Sequence, residues 1–96
     1  MLQHFSVATF KDRLGETFRL LPDSGEPLDL VLVEARGLAK HSNTREPFSV
    51  VFRAPATPVL AQMIRRLEHP ELGAFELFLV PIGPDDVGMR YEAVFT

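Results

Sequence analysis

The chain contains no cysteine at all. That removes disulfides, thiolate nucleophiles and zinc–thiolate centres together. It also lacks an excess of positive charge: ten Lys and Arg stand against thirteen Asp and Glu, for a formal net charge of -3. Phosphate recognition needs clustered Lys and Arg, and here the basic residues are scattered, so no nucleic-acid partner is expected. No apolar run approaches the roughly 20 residues that span a bilayer, and no membrane partner is expected either. The N-terminal stretch MLQHFSVATFKDRLG has no basic start, no long apolar segment and no small-residue cleavage site. It does not read as a secretion signal, and cytoplasmic residence is the expectation. A glycine-rich phosphate loop is missing, and Ser24, Ser42 and Ser49 lie in no nucleophile-elbow setting. Neither catalysis nor a cofactor is expected.

What is present suits one soluble domain over residues 1–96, with 46% hydrophobic and 24% charged residues. A chain of this length builds a single core with a stability on the order of 5 to 10 kcal/mol. The organising stretch is 69–96, HPELGAFELFLVPIGPDDVGMRYEAVFT. In a strand over 74–82, Phe75, Leu77 and Leu79 share one face and Ala74, Phe78, Val80 and Ile82 the other. Such a strand is expected to be covered on both sides. After the turn GPDDVG, Met89, Tyr91, Ala93 and Phe95 alternate with Arg90, Glu92 and Thr96, Val94 breaking the pattern. Pairing Ile82 with Met89 sets Val80 beside Tyr91 and Phe78 beside Ala93.

Upstream, Ser6 is placed to cap a short helix from Val7 to Leu14 that ends at Gly15, with Phe10 and Leu14 facing the core. ETFRLL and LDLVLVEA then read as two strands joined by PDSGEP, a hairpin. In the second, Leu28, Leu30 and Leu32 oppose Val31, Val33 and Ala35. Residues 36–47 form the longest connection, and FSVVFRA is a third strand stopped by Pro55 and Pro58. The segment 59–68 is ambiguous. Leu60, Met63, Ile64 and Leu67 have helical spacing behind Thr57 and Pro58, yet HPELG reads as a turn between antiparallel strands.

The segments PFSVVFRAP, LxQ followed by RLEHPELGAFELFLVPIG, and YEAVF, with Phe10, Leu14, Gly15 and Phe18 near the start, resemble a family of small bacterial proteins of unknown function. Members of that family are encoded beside tail-collar or microcystin-dependent-type proteins, relatives of phage tail-fibre parts. The resemblance therefore implies a protein partner encoded nearby, and it brings no catalytic residues. Other members carry Gly and Tyr where this chain has Met63 and Arg65, which implies an extended segment over 60–68.

Among candidate site residues, His69 between Glu68 and Glu71 suggests a metal, but consecutive turn residues converge poorly on one ion. A ring hydrogen-bonded to neighbouring backbone is the expectation, and no metal site is assigned. Asp85 and Asp86 resemble paired carboxylates, but in GPDDVG they serve the turn. Tyr91 is expected at the core edge with its hydroxyl at the rim. A candidate partner surface comprises Arg53, Arg65, Arg66 and Arg90, with His41 from the loop 36–47. The Arg residues are alternatively solvated charges paired with Glu68, Glu76 or Glu92.

The expected fold is all-β, a small antiparallel barrel or two-layer sandwich of about six strands with a short N-terminal helix. The expected function is a non-catalytic interaction or assembly module, accessory to a tail-collar-like protein. The alternative is a small barrel holding an apolar ligand among the eight Phe residues. A terminal strand RYEAVF also suggests a homodimer through a sheet edge.

Overall fold

Alternation of large apolar and polar side chains makes each extended run a strand with one face for the core. The computed structural model describes residues 5–38 and 46–95. In chain order they form α1 (Val7–Lys11), β1 (Thr17–Leu21), β2 (Leu28–Gly37), β3 (Phe48–Ala54), β4 (Met63–His69), β5 (Gly73–Pro84) and β6 (Met89–Phe95). All strand pairs are antiparallel, and they close into a barrel in the order β1-β2-β3-β6-β5-β4. The segment that periodicity left ambiguous is thus a strand. It pairs with β5 from Met63 opposite Leu79 to His69 opposite Gly73, and with β1 through Leu20 opposite Leu67, which seals the barrel.

Closure corrects the expectation of a doubly covered central strand. A barrel strand has one inside and one outside, so β5 buries Phe75, Leu77 and Leu79 while Phe78 is 52% exposed. Its register also differs from the expected one. Met89 lies opposite Pro84 rather than Ile82, Tyr91 opposite Pro81 and Glu92 opposite Val80, because the ladder shifts between Pro81 and Gly83. A second shift, between Leu32 and Glu34 of β2, puts Ala35 inside with Leu30 and Leu32, although simple alternation sets it opposite them.

The barrel interior is filled with aromatic rings. Phe18, Phe48, Phe52, Phe75, Tyr91 and Phe95 point in from the strands, and α1 adds Phe10, which has no exposed surface. Phe10 lies with ring centroids 5.4 to 6.4 Å from those of Phe5, Phe18, Phe48, Phe75 and Phe95, so the helix acts as a stopper. The helix is shorter than expected and ends at Lys11, leaving Leu14 49% exposed in the following turn. Ser6 is the N-cap residue as expected, and the bond that holds the start is the reciprocal one: the Ser6 N–H donates to Thr9 Oγ1 at 3.1 Å. β2 runs on to Gly37, so the expected loop 36–47 begins as strand, and its centre, with His41 and Ser42, lies outside the described residues. No helix among the described residues is long and apolar enough to cross a membrane.

Candidate functional site

Three features of the barrel carry polar chemistry or unmatched surface. The first is built around His69, the last residue of β4, which alternates inward with Leu67 and leaves only 4% of its side chain exposed. Its ring lies 4.7 Å from that of Phe18. The Glu71 backbone N–H donates to His69 Nδ1 at 3.1 Å, so the neutral ring carries its proton on Nε2 and donates to Glu16 Oε1 at 2.7 Å. Glu71 in turn faces Arg13 Nη2 at 3.2 Å, and Arg13 Nη1 donates to the Thr9 carbonyl at 2.7 Å.

Glu16, His69 and Glu71 bring one ligand-type atom each within 4.8 Å of one another, a grouping the sequence did not disclose because Glu16 comes from the other end of the chain. The tautomer argues against a cation there. Ligation through Nε2 needs the proton on Nδ1, where it would meet the Glu71 N–H head-on. Arg13 already neutralises Glu71. The cluster fits a clamp that ties the α1–β1 connection to the β4–β5 turn. The expected bond from the His69 ring to nearby backbone is present, and Glu16 is the partner that was missed. Beside it, an open depression of about 450 Å³ is lined by Thr17, Arg19, Asp29, Glu68, His69 and Pro70.

The second feature is the β5–β6 turn. Asp85 Oδ1 accepts the N–H groups of Val87 at 2.8 Å and Gly88 at 2.9 Å, while Oδ2 accepts Arg53 Nε at 2.8 Å and Nη2 at 2.6 Å. The Arg53 side-chain bonds, then the two backbone amides, hold the carboxyl well below the usual carboxylate range. A group so firmly ionised has no proton to donate, and the pair Asp85 and Asp86 serves the turn. Gly88 lies against β3, where a Cβ would collide with the Ala54 carbonyl oxygen.

The third feature is the outer face of β4, β5 and β6. Ile64 lies directly opposite Phe78, and the pairing of Val80 with Glu92 carries on to set Val94 next to Phe78. These three side chains are 60%, 52% and 54% exposed, a contiguous apolar row across three strands. Arg66 and Glu76 border it on one side, Val80 and Glu92 on the other.

A family model described as Domain of unknown function (DUF6916) matches residues 5–95. The chain belongs to that family. No curated protein and no solved structure shows significant similarity to it. The DUF6916 match takes in every described element from α1 to β6, so the His69 clamp, the Asp85 turn and the apolar row all lie within the family's domain.

The structure of this DUF6916 domain brings Arg53 and Arg90 together and sets Arg65 and Arg66 apart from them on β4. Arg53 and Arg90 face each other across β3 and β6, Arg53 bound to Asp85 and Arg90 Nε reaching the Gly83 carbonyl at 3.3 Å. Arg65 donates to the Ala61 carbonyl at 2.7 Å, and Arg66 sits on the outer face of β4. His41 lies outside the described residues. Ion pairs with Glu68, Glu76 or Glu92 do not occur within 4 Å among the described residues; Asp85 is the partner that forms. Ser49 is buried with its Oγ unpartnered among the described residues. Tyr91 departs from the rim position expected of it: it is 1% exposed, and its hydroxyl accepts the Leu60 N–H at 2.8 Å.

Proposed function

We propose that this DUF6916 domain is a non-catalytic interaction module that binds protein through the outer face of β4, β5 and β6, as an accessory to a tail-collar or tail-fibre-like protein. The observation that carries the reading is the apolar row Ile64, Phe78 and Val94, more than half exposed on a rigid sheet. Contiguous apolar surface on an otherwise well-patterned small domain marks a contact site, whereas isolated exposed residues do not. The tail-associated partner rests on the gene neighbourhood that the resemblance implies. The non-catalytic character is supported by the two polar clusters, in which His69 has both ring nitrogens and Asp85 both carboxylate oxygens engaged in hydrogen bonds.

Calorimetric titration with a purified tail-collar-like protein tests this. Binding at micromolar concentration is expected, with a loss of about tenfold or more for Phe78→Lys, since few buried aromatic anchors dominate such contacts. Absence of binding at those concentrations, or binding indifferent to Phe78, would overturn it. The apolar-ligand alternative is not favoured: Phe10 packs among Phe18, Phe48, Phe75 and Phe95 inside the barrel, and two open depressions among the described residues are lined by charged as well as apolar side chains.

A further inference from the structure

The row that marks the contact surface is also arranged to match itself. Take Phe78 as the centre: Ile64 on β4 flanks it on one side and Val94 on β6 on the other. One step along the strands in one direction stands Arg66 on β4, and one step in the opposite direction stands Glu92 on β6. Opposite charges therefore occupy opposite corners of an apolar centre. Neither has an ion-pair partner within 4 Å among the described residues, although Glu76 is the cross-strand neighbour of Arg66.

We infer that a second copy of this chain docks on this face, with the two Phe78 rings near the two-fold axis and Arg66 of each copy over Glu92 of the other. A two-fold axis in the plane of contact exchanges the corners only if it runs perpendicular to the line from Arg66 to Glu92. With strands about 4.8 Å apart and same-face residues roughly 7 Å apart along a strand, the strands of the two copies then cross at a steep angle. That is the orthogonal mode in which two sheet faces pack. The same operation brings Val80 of one copy towards Ile64 of the other, which surrounds the Phe78 pair with apolar contact, and it sets Val94 towards Glu76, while both Arg66–Glu92 pairs form at the rim. An isologous pair of this kind makes each Arg66–Glu92 and Val80–Ile64 contact twice, which is how a small patch becomes a specific one.

This replaces the edge-to-edge dimer suggested by the terminal strand. β6 is paired with β3 on one side and β5 on the other, so it has no free edge to offer. The inference rests on the reading of this face as a contact surface, and it adds a second copy of the chain as an occupant that competes there with the tail-collar-like partner.

Sedimentation equilibrium over a range from micromolar to millimolar chain tests it, with circular dichroism confirming that each variant is folded. The wild type is expected to dimerise reversibly. Phe78→Lys, and the milder Phe78→Thr that keeps a strand-forming side chain, are expected to raise the dissociation constant about tenfold or more. Arg66→Glu and Glu92→Arg should each weaken the dimer several-fold, and the double variant R66E/E92R should restore it, because the pairs are remade with their signs exchanged. A monomer throughout the range, a dimer indifferent to Phe78, or a double variant no better than the singles would each overturn the inference. A wild type that stays monomeric yet binds the tail-collar-like protein through Phe78 would remove the self-pairing and leave the proposed function standing.

Discussion

Tyr91 shows how a single side chain joins two layers of the structure. Its ring is packed into the barrel while its hydroxyl accepts the Leu60 N–H, fixing the stretch that leads into β4. Removing the oxygen leaves that amide without a partner in a part-buried setting. Tyr91→Phe is therefore expected to destabilise the domain by about 1 to 2 kcal/mol, seen in urea denaturation as a lower midpoint with an unchanged slope. The inward direction of Tyr91 was legible from its alternation with Arg90 and Glu92, but its hydroxyl partner lies 31 positions away, and no local pattern points to it. The same limit applies to His69: the bond to Glu71 is a two-residue matter that turn chemistry foresees, whereas Glu16 is 53 positions distant. Side-chain parity is local information, and side-chain partnership across a closed barrel is not.

Among the elements, the β5–β6 turn is the one whose strength depends on acidity. Asp85 is bonded by Arg53, Gly88 and Val87 in its ionised form, and its folded pKa lies below the unfolded value of about 4. A depressed carboxylate contributes stability that is present above the unfolded pKa and lost as pH falls through the folded one. The advantage of the wild type over Asp85→Asn in urea midpoint should thus be full at pH 7 and shrink steadily below pH 4. A difference that stays constant across that range would show that the charge is irrelevant to the turn. The strand content of this region was readable from the alternation of Met89, Tyr91, Ala93 and Phe95, and the turn from GPDDVG. The pairing register was not, because the extra residue near Ile82 interrupts the ladder without leaving any mark in the apolar pattern. Val33 in β2 poses the same difficulty, and it is why simple alternation sets Ala35 on the wrong face. For β4 the helical spacing of Leu60, Met63, Ile64 and Leu67 gave misleading guidance. What decides its conformation is tertiary: β1 and β5 each lack one neighbour until it is extended between them.

At the scale of the whole molecule, six strands leave no open edge, and the space they enclose is closed from one end by a five-residue helix. Phe10 is the one large side chain that helix buries completely, touching rings from β1, β3, β5 and β6. Phe10→Ala is expected to cost about 3 to 5 kcal/mol, a large part of the total for a domain of this size. Fluorescence from Tyr91 and far-ultraviolet circular dichroism should report the loss in a single coincident transition, because every strand is held by two others. The fold class was visible in the sequence since it follows from counting alternating runs between turn residues. A barrel and a sandwich share that count of runs, and the pairing of β1 with β4 decides for the barrel.

The stopper has a further implication. A domain whose centre is occupied by its own phenyl group has, in effect, a built-in guest. Trimming that guest to a methyl should leave a dry, ring-lined vacancy, and such vacancies take up benzene or xenon. Soaking the shortened variant in benzene should therefore raise its melting temperature while leaving the parent unmoved, turning an inert filler into a receptor by subtraction alone.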